Sequence, residues 1–304
     1  MVDTPEDAGQ AQSQEPTKTI YDELPDAPPK QRLKLTWVGK LGVAIVAFWL
    51  LMVFIGPYVA PFHEADIIAD DSYLPPDATH WLGTDYLERD ILSRILWGAR
   101  TTIGISFLAT LIAYLIGVTA GIAAAVVGGW TDTGLSRVND AILSLPTIML
   151  GLLIVVALGT SIPILIGTAA VIYAASVFRI ARALGQDIMV MDYVESAKAR
   201  GESLWWIISR EVLPNAAMPL ATDFGLRLVF VVLFISSLSF LGLGIQPPMA
   251  DWGSMVRQNL EGLGYGSLAA VWPALAIASF TISINLIVDD ISAKSGGSLA
   301  KKMI

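Results

Sequence analysis

The sequence predicts an all-α fold, a polytopic bundle of transmembrane helices, on three observations. Of the 304 residues, 54% are hydrophobic and only 15% are charged, whereas soluble domains are nearer a quarter charged. Several apolar runs approach the roughly 20 residues that a helix needs to cross a bilayer. Lipid supplies no hydrogen-bond partners for the backbone, so each run must satisfy its own N–H and C=O groups. The spans are therefore predicted to be helices.

The chain divides into three predicted regions. Residues 1–34 are polar and rich in proline. They have too little apolar surface to offset the entropy of ordering and are predicted to be a disordered cytoplasmic tail. Residues 35–290 are predicted to be the transmembrane domain, and residues 291–304 a cytoplasmic C-terminal tail. Six spans are predicted in the domain, at about residues 41–60, 102–127, 141–159, 162–178, 217–242 and 268–288.

Lysine and arginine predict the orientation, because they are enriched in cytoplasmic loops. Six spans place both termini on one side, together with the loops 128–140 and 179–216. From residue 30 onward that side holds thirteen lysines and arginines, and the other side holds four, namely Arg89, Arg94, Arg100 and Arg257. Both termini and the longer polar loop are therefore predicted to be cytoplasmic.

Small residues recur at a spacing of four in two of the spans. The second span contains Gly117 and Gly121, and the fourth contains Ala170 and Ala174. Such spacing lets helix backbones approach closely in lipid, where hydrophobicity does not drive helix association. We expect these residues to pack helices within one subunit, and a dedicated dimer face is the alternative.

A polar segment, DYVESAKARGESLWWIISREVLPN at residues 192–215, separates the fourth and fifth spans. It is too short to be a domain with its own core. VESAKA favours a short helix, and Gly201 favours a break after it. LWWII favours a second helix, predicted to end at Leu213-Pro214 before the next span. A short helix between two spans would let an external partner move both, and an ordinary solvated loop is the alternative.

The spacing within this segment resembles a known motif. Glu195-x-Ala197, then Gly201, then Leu213-Pro214 are similar to the E-A-A…G…L-P loop of bacterial ABC-importer permeases. Residues 80–100, 143–150 and 237–255 resemble further blocks of the dipeptide, oligopeptide and nickel permeases of that class. The chain is most similar to the smaller, C-type permease subunit, and the resemblance covers about residues 35–290.

The chain departs from the family pattern at a few positions. Ser196 replaces the first alanine of the E-A-A triplet, Trp81 replaces a proline, and Glu88 replaces a glycine. The C-terminal sequence VDDISAKSGGSLAKKMI differs from the amphipathic tail that is common in the family. The contribution of that tail to cytoplasmic contacts is therefore left open.

The resemblance implies a type I ABC importer permease fold, a set of partners and a docking surface. The 192–215 loop would form a coupling helix that docks on an ATP-hydrolysing subunit, through Glu195, Ala197, Arg200, Gly201, Leu213 and Pro214. The expected partners are a second homologous permease in a heterodimer, two ATP-binding subunits and a periplasmic or lipid-anchored substrate-binding protein. The expected location is the bacterial cytoplasmic (inner) membrane and its lipid. Peptides are the expected cargo, with nickel chelates, opines and oligosaccharides as alternatives.

The sequence gives no indication of an enzyme. It contains no G-x-x-x-x-G-K-[ST] phosphate-binding loop, so ATP and Mg are expected on partner subunits, with no cofactor in this chain. A net charge of −8 argues against nucleic-acid binding. There is no cysteine, and the two histidines, His63 and His80, lie among irregularly spaced acidic residues. An unliganded, solvated acidic surface is expected there, with a transition-metal site as the alternative.

Two charged residues, Asp223 and Arg227, lie inside the fifth apolar run. Charges within spans usually face a bundle interior or a watery cavity, which predicts that they line the translocation path. A mutually neutralised pair four residues apart is the alternative. The alternative for the whole chain is an ion-coupled secondary transporter that needs no ATPase, for which inverted repeats and broken helices are expected.

Overall fold

The computed structural model describes the backbone of residues 35–300 and the side chains of residues 35–293. The predicted tail 1–34 lies outside the described residues, as do residues 301–304. The described helical elements are α1 (Trp37–Val59), α2 (Ile91–Val127), α3 (Gly129–Leu143), α4 (Thr147–Leu158), α5 (Ile162–Met189), α6 (Asp192–Ala199), α7 (Leu204–Ile207), a π-helical segment (Ile208–Val212), α8 (Leu213–Phe240), α9 (Trp252–Gln258), a 3-10 turn (Leu260–Tyr265) and α10 (Val271–Ala300).

The prediction of an all-α transmembrane bundle is confirmed. Five helical stretches in the described part are long and apolar enough to cross a membrane, and the bent pair α3–α4 makes a sixth if it counts as one broken span. The two helices of that pair meet at 88°, inside the predicted span 141–159. Pro146 precedes α4. Proline has no N–H and disfavours helical backbone at the residue before it, so the chain bends there.

Several helices extend beyond the apolar runs that predict them. Helix α2 begins at Ile91 rather than near residue 102, and Asp90 caps it by accepting a hydrogen bond from the Ser93 N–H at 2.7 Å. Helix α5 continues to Met189, and α10 continues to Ala300. The reason is that backbone hydrogen bonds continue past the hydrocarbon core, where charged side chains are tolerated in the helix.

Helices α2 and α5 pack with very small separation. A Cβ at Gly117 would lie 2.7 Å from the Ala174 carbonyl oxygen, and one at Gly121 would lie 2.6 Å from that of Phe178. Both distances are well below van der Waals contact. Packing within one subunit, as predicted for these small residues, is therefore confirmed.

Two buried clusters lie at opposite ends of the long helix α2. One joins the start of α2 to α1, α9 and α10, and it contains Trp49, Trp252 and Phe280. The other joins the end of α2 and of α5 to α6, α7 and the start of α8. The polar segment 192–215 therefore packs at one end of the bundle, and the loops around α9 pack at the other.

Candidate functional site

Helix α6 is a short helix with a well-defined start and end. Asp192 and Glu195 lie in its first turn and Lys198 in its last, an arrangement that opposes the helix dipole. At the C-terminus, the Gly201 N–H donates to the Lys198 carbonyl at 3.0 Å, and the Glu202 N–H donates to the Ala197 carbonyl at 3.2 Å. These two bonds form a Schellman motif, which satisfies carbonyls that the helix leaves free.

Gly201 is required by this ending. Its φ is +81°, in the left-handed region, where glycine has no steric penalty. No atom lies within 4 Å of a Cβ built on Gly201, and the residue is exposed. The predicted break at Gly201 is confirmed, and the surface beside it is open.

The helix after this break is continuous with the next span. Ser203 caps α7 by accepting a hydrogen bond from the Trp206 N–H at 3.2 Å. Residues 204–240 then form one helical stretch, interrupted in regularity only by the π-helical segment Ile208–Val212. The prediction that this helix ends at Leu213-Pro214 is wrong. A proline at the start of α8 is tolerated because the wider π-helical turn before it already departs from the regular hydrogen-bond pattern.

The inner side of the segment is packed against the bundle. Val194 and Ala197 of α6 are fully buried, as is Val212, and Ile207 is 1% exposed. They belong to one cluster with Ile188 at the end of α5 and with residues of α2 and α8. A displacement of α6 would therefore be transmitted directly to α5 and α8, because close-packed interiors are barely compressible.

The predicted docking residues divide between the two sides of the segment. Glu195, Arg200, Gly201, Leu213 and Pro214 are exposed, whereas Ala197 is buried. Helix α6 has only eight residues. So short a sequence pattern did not predict that Ala197 faces the bundle.

The solvent-exposed side of this segment also carries apolar residues that the motif did not indicate. Val190, Tyr193, Leu204 and Trp205 are all exposed, and Trp205 has 74% of its surface accessible. We call the exposed residues of 190–205 the coupling surface. Arg200 lies beside it, with its Cζ 5.8 Å from the Trp206 ring and its Nε 3.8 Å from a Glu202 carboxylate oxygen. Exposed large apolar side chains among charges are typical of a protein-binding surface.

The two intramembrane charges contact each other. An Arg227 Nη2 lies 3.1 Å from Asp223 Oδ1, and the Tyr114 hydroxyl of α2 donates a hydrogen bond to Asp223 Oδ2. The Arg227 guanidinium also lies 5.7 Å from the centre of the Phe230 ring. Asp223 is buried and Arg227 is partly exposed. The mutually neutralised pair, given above as the alternative, therefore forms, with a third partner from a neighbouring helix.

Loop 60–90 is packed and partly buried. The expectation of a solvated acidic surface is therefore wrong for part of it. Asp85 is fully buried between two arginines, with Arg89 Nη2 at 2.7 Å and Arg94 Nε at 3.4 Å from Oδ2. Arg94 Nη1 donates to the Glu64 carbonyl at 2.8 Å, and Glu64 Oε2 accepts from the Ala250 N–H at 2.5 Å. The described residues contain no group of three or more His, Cys, Asp or Glu placed to hold a metal ion.

Helix α9 is attached to α2 by a second buried group. Asp251 Oδ1 accepts from the Thr102 hydroxyl at 2.9 Å, and Oδ2 accepts from the Ser254 N–H at 2.9 Å. Burial raises the pKa of Asp251, and the hydrogen bonds that it accepts oppose this shift. The Trp252 indole donates to the Ile95 carbonyl at 3.0 Å. These bonds fix the position of the loops at this end of the bundle.

A bundle of membrane-spanning helices with a short, packed helix exposed at one end defines a multi-pass membrane protein. The family of binding-protein-dependent transport system inner membrane components matches residues 117–293. The chain belongs to this family, and it is a permease subunit of an ABC importer.

The similar curated proteins are permeases. The glutathione transport system permease protein GsiD of Pectobacterium atrosepticum is 33% identical over 251 residues, which cover 80% of this chain and 79% of that protein. The probable D,D-dipeptide transport system permease protein DdpC of Escherichia coli is 31% identical over 274 residues, which cover 87% and 92%. The dipeptide transport system permease protein DppC of Bacillus subtilis is 32% identical over 256 residues, covering 84% and 79%.

A solved structure supports the fold. A chain of the MetNI methionine ABC transporter, in an inward-facing conformation, superposes with a TM-score of 0.55 at 17% identity, covering 66% of this chain and 95% of that one. This likeness confirms the fold. The family match and the permease relatives confirm the predicted ABC importer permease, in place of the ion-coupled alternative.

Proposed function

We propose that this permease moves peptides or similar small solutes into the cell, driven by ATP hydrolysis on separate subunits. The relatives named above transport glutathione, dipeptides or D,D-dipeptides according to their names, which supports a peptide cargo. A second homologous permease would complete the path in a heterodimer. Two ATP-binding subunits and a periplasmic or lipid-anchored binding protein would complete the importer.

The coupling surface would receive the ATP-binding subunits. The observation that carries this step is the two-sided packing of α6, with Val194 and Ala197 in the bundle cluster and Glu195 and Arg200 in solvent. Force applied to the exposed side would pass through the buried side to α5 and α8. ATP binding can shift the permease between states only through different contacts with each of them.

The orientation of the subunit in the membrane follows from the proposed docking of the ATP-binding subunits. The ATP-binding subunits are cytoplasmic in the proposed assembly, so the 192–215 segment and both termini would be cytoplasmic, in agreement with the distribution of lysine and arginine. The loops around α9 would then face the binding protein. Asp223 and Arg227 would lie in the membrane between these ends, and we propose that they border the path.

Gly201→Asp tests the coupling role. A side chain at this exposed position would project into the space that a docked ATP-binding subunit would occupy. We expect ATP-driven uptake by the reconstituted importer to be abolished and the ATP-binding subunits to be lost on purification, while the two permeases still assemble in the membrane. Normal uptake by this variant would contradict coupling through α6.

Gly266→Asp is the matched control. Gly266 has a φ of +77° and no atom within 4 Å of a built Cβ, so the backbone cost of the substitution is the same. It lies at the other end of the bundle, after the 3-10 turn. We expect this variant to retain its ATP-binding subunits. If it loses them as well, the effect of Gly201→Asp is a general folding defect.

A further inference from the structure

A polar cleft lies at the end of the bundle opposite α6. Two cavities of about 330 and 670 Å³ share Tyr86 and Gln258 in their linings, so they lie side by side and together outline one cleft. We call this space the outer-loop cleft. Its two parts fall within the range of small-molecule sites, roughly 300–1,000 Å³. It is separate from the coupling surface and from the intramembrane pair.

One end of the outer-loop cleft is cationic. Arg257 lines the smaller cavity and is exposed. In the part of the chain whose side chains are described, it has neither an ion-pair partner nor a hydrogen-bond acceptor. Its guanidinium lies over Gly242, where a Cβ would collide with it, and Gly242 has a φ of +85°. The absence of a side chain at Gly242 therefore leaves room for the Arg257 guanidinium, whose positive charge has no partner among the described side chains.

The other end is anionic and aromatic. Asp71 and Glu261 line the larger cavity, and both are exposed. Neither forms an ion pair among the described side chains. The Tyr73 and Tyr265 rings stack there with centroids 6.0 Å apart. Burial raises the pKa of Tyr73, and the Glu261 carboxylate raises it further. Carboxylates among aromatic rings favour a cationic ligand group.

A hydrogen-bond acceptor without a partner lies between the two ends. Gln258 lines both cavities, and its Oε1 is buried and accepts no hydrogen bond from the described residues. Buried polar atoms in native proteins are nearly always hydrogen-bonded, so an unsatisfied one indicates a missing partner. An amide N–H of a ligand would satisfy it.

We infer that the outer-loop cleft binds a short peptide with free termini before the peptide enters the membrane path. The peptide carboxylate lies at Arg257, its amide N–H donates to Gln258 Oε1, and its ammonium group lies between Asp71 and Glu261. This inference rests on the proposed peptide import and assigns a substrate site to the outer loops of this subunit. Arginine suits the planar carboxylate because it can form two parallel hydrogen bonds with it.

Direct binding tests the inference. The importer is reconstituted in nanodiscs without the binding protein, and saturation-transfer NMR measures the affinity for dialanine, N-acetyl-dialanine and dialanine amide. Arg257→Gln should weaken binding of dialanine and the N-acetyl form about tenfold or more and leave the amide unchanged, because only the amide lacks the carboxylate. The double variant Asp71→Asn, Glu261→Gln should weaken dialanine and its amide and leave the N-acetyl form unchanged.

Two exposed residues outside the cleft lining serve as charge-matched controls. Arg100→Gln and Asp70→Asn remove the same charges elsewhere, and both should bind all three probes as the unmodified importer does. The inference is overturned if the cleft variants bind like these controls, or if the unmodified importer binds no probe.

Uptake with the binding protein present separates this inference from the proposed function. Dialanine uptake by the unmodified importer without cleft binding overturns the inference alone. Absence of uptake of any peptide overturns the proposed cargo. Equal loss of uptake of all three probes in the cleft variants, with direct binding unchanged, would identify the cleft as a docking surface for the binding protein and would also overturn the inference.

Discussion

At the scale of single residues, Asp223 shows how a buried charge in a span is neutralised. It contacts Arg227 on its own helix and Tyr114 on α2. The i,i+4 pair could be predicted from spacing alone, but Tyr114 could not. The tyrosine lies 109 positions away in sequence, and only the packing of α2 against α8 brings it into contact.

Substitutions at the pair should show whether it also borders the path. We expect Asp223→Asn to destabilise the subunit by about 3 kcal/mol, because it leaves a desolvated guanidinium. The double variant Asp223→Asn, Arg227→Gln should recover most of this loss. Thermal unfolding measures the stability, and uptake is measured in parallel. Full uptake by the stable double variant would contradict a role of the pair in the path.

Asp251 should make stability depend on pH. Burial raises the folded-state pKa of Asp251 above its ordinary value of 3.8, so the native state binds a proton more tightly than the unfolded state. Its contribution is complete below the ordinary pKa and is lost as the pH rises through the raised value. We expect the melting temperature of Asp251→Asn, relative to the unmodified subunit, to increase with pH. A difference that stays constant between about pH 4 and 8 would contradict this assignment.

At the scale of elements, loop 60–90 connects helices that belong to different parts of the chain. Asp85, Arg89 and Arg94 form a buried ion cluster, and Glu64 extends it to Ala250 before α9. Asp85, Arg89 and Arg94 lie in one motif block, residues 80–100, but their charge favours an exposed loop. The burial of the motif depends on its contacts with α2 and α9.

Asp85→Asn tests this connection. The substitution leaves two desolvated arginines facing each other, and we expect a loss of about 3–5 kcal/mol in the free energy of unfolding. Asp70→Asn, at an exposed carboxylate of the same loop, should change it by about 0.5 kcal/mol or less. Chemical denaturation of the purified importer measures both. Equal stability of the two variants would show that the buried cluster has no structural role.

At the scale of the whole molecule, the bundle places the proposed coupling surface at one end and a polar cleft at the other, with the intramembrane pair between them. The coupling surface can be predicted from local sequence, because its motif spans only residues 192–215. The cleft is assembled from residues between Asp71 and Tyr265, so no local pattern predicts it. The arrangement suits a subunit that receives cargo at one end and force at the other.

Cysteine labelling tests this polarity, since the chain contains no cysteine of its own. Ala78→Cys and Ser196→Cys introduce single thiols at exposed positions of the two ends. A membrane-impermeant maleimide should label the first only from outside the cell and the second only from the cytoplasm. The Ser196→Cys thiol should also be protected when the ATP-binding subunits are bound. Labelling of both thiols from the same side would contradict the proposed orientation.

The class of fold follows from the sequence alone, because apolar runs of about 20 residues in lipid satisfy their backbone hydrogen bonds as helices. The break at Gly201 also follows from local backbone preferences, and the position of the proposed coupling segment is predicted from a local motif. Only the tertiary structure decided that Ala197 faces inward, that the helix passes through Pro214 and that Asp85 is buried. These features depend on which surfaces pack together, and contacts between distant parts of the chain leave no periodic pattern in the sequence.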